Sequence, residues 1–419
     1  MNEYTSAFVR VSRGVPGVIY RPVQKSDKKT VGILVMHSDA DYLDHSAGRE
    51  LSGRGYTVLC ANVGRSEGLF SRKIEDVSAA VSFLKNESGI RKIIVMGHSG
   101  GATLMSAYQA AAENGVSIFQ GNEMLMKMPD LKGELYPADG FISIDSNWGN
   151  GAMRLFSMDP AVVIDNGALT IIPELDAFSE ENGWSPEGAH YSEEFLKRFF
   201  KAQHEMNMRL TEHALERISL IEKGKGIFSD DEPLFIPTAS QIAFNNKLFA
   251  QDTRLLSHTL KPQYLYHKDG LVTNETVYSV RRPRMLKPVR ETSAGWYNTT
   301  VRNFISNTGV ATDDSYHYDE QEVFGVRFET APTCTPGNIR FINVPTIILG
   351  MTASWEYAAA ETIYNNSPAK DKYLAYIDGA GHNFETIKEC ERYEGEFGDT
   401  MKTTYDLLDS WICKKFLQE

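Results

Sequence analysis

Gly97-His98-Ser99-Gly100-Gly101 sets one hydroxyl among glycines, after the apolar run Arg91-Lys92-Ile93-Ile94-Val95-Met96. The stretch from Ala102 to Ala112 follows and reads as a helix closed by Asn114-Gly115. A serine at a strand-to-helix turn in G-x-S-x-G is the pattern of a nucleophile elbow. So tight a turn needs neighbours almost without side chains, which Gly97, Gly100 and Gly101 supply. It lifts Ser99 Oγ beyond the strand and sets the Gly100 N–H at a helix N-terminus, where a developing oxyanion can be held. The chemistry implied is attack on a carbonyl. A serine hydroxyl is a weak nucleophile until a base takes its proton. Of the 10 histidines, His382 stands out, because it lies in the flexible Gly379-Ala380-Gly381-His382 after a late apolar run. His37 and His98 are the alternatives by position, although His98 should point away from Ser99.

The elements that must hold these residues alternate. Residues 7–12 and 17–22 read as a hairpin around Gly-Val-Pro. Near-continuous apolar runs at 31–37, 56–62, 91–96, 140–145, 344–350 and 372–378 read as strands buried on both faces. Helices are expected over 45–52, 74–85, 356–364 and 400–416. Strands alternating with helices predict a mostly parallel sheet covered on both faces. The rhythm breaks between Asp145 and Val344. That stretch predicts one long helix from Ser192 to Lys223 and a small ribbon about Lys268-Asp269-Gly270.

The chain has 419 residues, 42% hydrophobic and 23% charged, which is enough for a large buried core. A net charge of −12 argues against a nucleic-acid partner. The 4 cysteines are far apart without C-x-x-C, so free thiols are expected, with neither disulfides nor a metal site. No leader and no membrane-length apolar window is visible, so a cytoplasmic location is expected. A small-molecule substrate is the expected partner, with no cofactor and no membrane; the sequence admits a homodimer.

The elbow, the histidine loop, Val35-Met36-His37 and Asn62-Val63-Gly64-Arg65-Ser66-Glu67-Gly68 together resemble the α/β-hydrolase superfamily. The order Ser99 then His382 fits that arrangement. The resemblance implies an eight-stranded, mostly parallel sheet, with residues 1–146 and 341–419 as core and 147–340 as a cap inserted after the sixth strand. It also implies an acid for His382. The superfamily usually places an Asp in Gly-x-x-Asp after the seventh strand, but Gly350-Met351-Thr352-Ala353-Ser354-Trp355-Glu356 has none. Asp145, at the end of the sixth strand, is preferred; Glu356 is the alternative and Glu361 an outside candidate. The oxyanion donors are expected to be Gly100 N–H and, by position in the loop after the third strand, Asp39 N–H. Asp39 and Asp41 would put negative charge near the pocket mouth and disfavour anionic substrates. Tyr42 and His98 are assigned to substrate binding, Tyr42 through a hydrogen bond to a substrate oxygen.

The basic run Arg281, Arg282, Arg284, Lys287 and Arg290 reads as a solvated face before it reads as a carboxylate site. Gly64-x-Ser66-x-Gly68 repeats the G-x-S-x-G pattern but lacks an immediate helix. The expectation is a serine hydrolase that cleaves an ester or lactone of a medium-sized, largely apolar substrate through an acyl-enzyme. Amidase, peptidase and carbon–carbon bond hydrolysis use the same triad, and a non-catalytic receptor on this scaffold is the alternative of a different class.

Overall fold

The structure, a computed structural model, describes residues 3–165, 168–239, 247–284 and 295–417. Its centre is a sheet of strands β1 (Tyr4–Ser12), β2 (Val15–Pro22), β3 (Val31–His37), β4 (Thr57–Asn62), β5 (Lys92–His98) and β6 (Gly140–Ile144). Strands β7 (Gln263–Tyr266), β8 (Val272–Glu275), β9 (Thr346–Met351) and β10 (Lys372–Ile377) complete it. The spatial order is β1-β2-β4-β3-β5-β6-β9-β10-β7-β8. The pairs from β4 through β10 to β7 are parallel, whereas β1 with β2, β2 with β4, and β7 with β8 are antiparallel.

Side chains along each strand alternate between two covering layers, as the period-2 geometry requires. From β3, Leu34 and Met36 join a core with helices α2 (Phe70–Lys85) and α3 (Gly101–Asn114). Ile33 and Val35 face the other way, toward α1 (Ser46–Gly53) and α8 (Thr400–Phe416). Both faces of the sheet are therefore dry, which explains the continuous apolar runs. All 4 cysteines are free thiols.

The sheet has ten strands where eight were expected. The ribbon foreseen inside the long insertion is real, but it does not stand apart. Its first strand, β7, pairs parallel with β10, in register Tyr264 with Ala375. Tyr264 stacks on Tyr373 at 5.5 Å between centroids, so the open edge of β10 gains both a hydrogen-bonded and an apolar partner. The second strand lies earlier than foreseen, over Val272–Glu275 in place of 276–280.

Elsewhere in 147–340 lie α4 (Asn150–Ser157), the long α5 (Glu193–Glu222) and α6 (Val301–Thr308). Ser192 caps α5 by accepting from Phe195 N, as its sequence signature suggested. The aromatic residues of the insertion pack on one another. Phe156, Phe249 and Tyr318 meet edge to face with centroids 5.5–5.8 Å apart, and Phe200 joins Tyr318 at 4.6 Å.

Glu361 is a structural anchor and not a partner of His382. On α7 (Ala359–Asn366), its carboxylate accepts from Leu260 N at 2.7 Å, Lys261 N at 3.3 Å and Gln263 Nε2 at 2.7 Å. It thereby ties the approach to β7 onto the sheet. Glu361→Ala removes three hydrogen bonds to partly exposed donors and should cost about 1 kcal/mol in urea unfolding. Amide exchange at Leu260 and Lys261 should accelerate, and unchanged protection there would contradict the anchor.

Candidate active site

The elbow is built by exclusion of side chains. A Cβ on Gly97 would lie 2.3 Å from Ala102 Cα, and one on Gly101 would lie 2.6 Å from the Met36 carbonyl. Between them Ser99 takes φ +54°, a left-handed conformation that costs a non-glycine residue energy and recurs at functional sites. The turn is closed by Ala102 N donating to Ser99 O at 3.1 Å. The other serine in the same pattern, Ser66, sits in an exposed turn with no helix until Phe70, although it also borders the Ser99 cavity.

Three neighbouring strand ends supply the rest. Asp145 ends β6 with φ +39°; its Oδ1 accepts from Met351 N at 3.2 Å and its Oδ2 lies 2.7 Å from His382 Nδ1. Glu356 follows β9 in a turn, because α7 starts only at Ala359, and its Oε2 lies 3.7 Å from the same nitrogen. Asn147 Nδ2 donates to Glu356 Oε1 at 3.2 Å, while Glu356 Oε2 has no hydrogen-bond partner. His382 follows β10, and both it and Ser99 line one cavity.

Burial raises the Glu356 pKa to about 7, with the Asp145 charge adding to the effect against the pull of His382. Burial alone would lower the His382 pKa, but the Glu356 charge and the Asp145 hydrogen bond and charge outweigh it and hold it near 9.

A left-handed serine between a parallel strand and a helix, with a histidine loop after the last long parallel strand, is the decisive combination. The chain has the α/β-hydrolase fold. No protein-family model matches the sequence, and no curated protein does. Among solved structures, the chain is similar to Est1E from Butyrivibrio proteoclasticus at 9% identity and TM-score 0.41, over 99% of each chain. It is similar to the siderophore hydrolase EstB from Aspergillus fumigatus at 11% identity and TM-score 0.43, over 98% of this chain and 97% of that one. It is also similar to a bacterial brefeldin A esterase at 11% identity and TM-score 0.44, over 99% of this chain and 77% of that one.

The loop after β3 departs from expectation. Asp39 N–H, foreseen as an oxyanion donor, points at His37 Nδ1 at 3.2 Å, and Ala40 N–H meets the same nitrogen at 3.0 Å. Asp39 Oδ1 also lies 2.8 Å from Nδ1. Where Nδ1 accepts from the two backbone N–H groups, a neutral His37 carries its proton on Nε2. Nε2 stands beside the elbow, since a Cβ on Gly100 would lie 3.0 Å from it. Asn62 Nδ2 donates to Asp41 at 2.7 Å, and Asp41 does not line the cavity.

Tyr42 and His98 do not reach the substrate space. Both are buried behind the histidine loop and neither lines the Ser99 cavity. Ala47 N donates to His45 Nδ1 at 3.2 Å, which leaves the His45 proton on Nε2, 3.4 Å from His98 Nδ1. Tyr42 OH donates to that same Nδ1 at 2.7 Å, so His98 carries its proton on Nε2 and donates to the His382 carbonyl at 2.7 Å. Burial holds the His98 pKa well below the ordinary histidine value, and neighbouring His382 and His45 add to the effect. A neutral, directional relay thus fixes the His382 backbone.

The cavity encloses about 630 Å³. Its wall mixes polar side chains, Lys73, Asn150, Arg154 and Asn303 among them, with Met153, Tyr297 and Trp355. Many aromatic residues of the insertion pack against each other in the core, while Tyr297 faces the cavity. A larger cavity of about 860 Å³ lies between α5 and the strand Ala311–Tyr318 and does not include Ser99.

In the basic run, Arg281 is buried and donates to the carbonyls of Leu255, Leu256 and Phe249, a structural role. Lys287 and Arg290 lie outside the described residues.

His98→Phe keeps the ring volume but leaves the His382 carbonyl unmet. It should lower stability by about 1–3 kcal/mol in chemical unfolding. Tyr42→Phe should cost about 1 kcal/mol. A His98→Phe chain as stable as the parent would show that the relay does not hold the loop.

Proposed function

We propose that this chain is a serine hydrolase of carboxylic esters, lactones included, and that Ser99, His382 and Asp145 form its triad. The observation that carries the reading is the 2.7 Å contact of His382 Nδ1 with a fully buried Asp145, while His382 itself shares a cavity with Ser99. With Nδ1 held, the other ring nitrogen is the one left to exchange a proton with serine. Ser99 Oγ adds to the ester carbonyl while its proton passes to His382 Nε2. The carbonyl electron pair moves to oxygen, where Gly100 N–H and His37 Nε2–H receive it. Collapse breaks the bond to the alcohol oxygen, which takes the proton from His382. Water, deprotonated by the same nitrogen, then cleaves the acyl-enzyme and returns the proton to Ser99.

Residues 147–262 and 276–340 act in this reading as a cap, because Arg154, Tyr297, Asn303 and Thr308 close the cavity over Ser99. Glu356 is a second carboxylate that tunes His382 and does not replace Asp145. Its 3.7 Å separation is beyond a hydrogen bond, whereas Asp145 is within one.

A fluorophosphonate probe should label the parent chain and not Ser99→Ala; equal labelling of both would overturn the reading. Asp145→Asn should lower kcat about 10⁴-fold. His37→Phe should lower it about 10²- to 10³-fold, the usual loss of one oxyanion donor.

The pH dependence has a definite sign. His382 must be unprotonated to act as base, so kcat/KM rises with pH through its pKa. Removing the Glu356 charge lowers that pKa, and the acidic limb of Glu356→Gln should therefore move to lower pH. A limb that stays in place, or an activity loss equal to that of Asp145→Asn, would make Glu356 the triad acid or a bystander.

A further inference from the structure

Arg154 and Lys73 are buried cations in the wall of the Ser99 cavity, and the mechanism uses neither. Arg154 projects from α4, the first helix after β6; Lys73 projects from the first turn of α2, after β4. Two unrelated elements thus deliver positive charge to one space.

Each cation is under-partnered. Arg154 Nη1 donates to the Ala239 carbonyl and the guanidinium lies over the Tyr297 ring at 3.4 Å, but its buried Nε has no acceptor. Among the described residues, no carboxylate comes within 4.0 Å of Arg154 or Lys73. Asp39 and Glu67 carry the opposite sign in the same cavity, but both are exposed at its mouth, where water screens them. Burial lowers the pKa of both cations, to about 10 for Arg154. The charge of Asp39 pulls both values the other way, and that of Glu67 pulls Lys73, but burial outweighs them. An uncompensated buried charge costs several kcal/mol, so it persists where a bound group supplies the counter-charge. The neighbouring Asn303 and Asn307 are neutral hydrogen-bonding side chains and do not neutralise it.

We infer that Arg154 and Lys73 form an anion subsite beside Ser99, and that the preferred substrate is an ester bearing a free carboxylate. A planar guanidinium matches a carboxylate, and an ammonium adds charge from a second direction. This assignment rests on the hydrolase reading for the bond that is cleaved, but not for the anion that is bound.

Two matched ester pairs test it: monomethyl glutarate against methyl pentanoate, and 4-acetoxybenzoate against its methyl ester. They place the carboxylate on the acyl and alcohol sides respectively. In the parent chain the anionic member of at least one pair should show about tenfold higher kcat/KM, and that ratio should fall at least fivefold in Arg154→Met or Lys73→Met, with Arg154→Lys retaining part of it. Preference for the neutral member of both pairs would overturn the subsite, as would an anionic preference that survives both substitutions.

Calorimetric titration of Ser99→Ala with glutarate provides the second arm, with thermal melting of each variant as the folding control. Binding that weakens about tenfold when Arg154→Met is added supports the subsite, and absence of binding overturns it. Glutarate binding without ester cleavage or Ser99 labelling would sink the hydrolase reading alone. Labelling and cleavage without anionic preference or glutarate binding would sink the subsite alone.

Discussion

Asp145 and Glu356 are both shut away from water, and carboxylates so placed repel unless positive charge stands between them. His382 supplies it, with Nδ1 2.7 Å from one and 3.7 Å from the other. Each of the three residues follows a different strand, and β6, β9 and β10 are neighbours in the sheet. The register Leu349 with Ile144 and Met351 with Ile377 brings those strand ends level. The left-handed backbone at Asp145 then turns its carboxylate to the loop. The sheet order, the loop lengths and the relay through His98 all serve to keep one imidazole in place.

Charge is distributed unevenly around this centre. Asp145 and Glu356 lie by His382, while Asp39 and Glu67 carry negative charge on the side of Lys73, and Asp39 also acts on Arg154. Apolar character has been moved elsewhere, into the ring cluster of Phe156, Phe200, Phe249 and Tyr318. The insertion's rings thus extend the core on one face of the sheet, and its Arg154, Asn303 and Asn307 reach the cavity beside Met153 and Tyr297.

Much of the scaffold was legible because it depends on local rules. The strand runs, the capped helix after Ser192 and the glycine-lined elbow each carry their signal within a few residues. Asp145 was legible as a strand-end carboxylate beside Asn147, but spacing alone did not rank it above Glu356. That ranking needs the difference between a hydrogen bond and a longer contact. The insertion of β7 at the edge of β10 depends on pairing between segments far apart in sequence, which periodicity does not encode. Tyr42 and His98 looked like ligands because polar residues near an elbow suggest contact with substrate. Their burial and the direction of each proton show a buttress. Arg154 and Lys73 escaped notice because each is an ordinary basic residue on a helix until the fold buries it.

The pairing of β7 with β10 has a consequence for the order in which the molecule can be made. Strand Gln263–Tyr266 leaves the ribosome well before Lys372–Ile377 exists to receive it, and the loop with His382 comes later still. Until then the nascent chain carries an unmatched edge and an elbow serine whose proposed base has not been synthesised. Closure of that edge and assembly of the histidine loop fall in the same short stretch of synthesis. A growing chain thus holds Ser99 without His382 until the sheet that supports the finished site is almost complete.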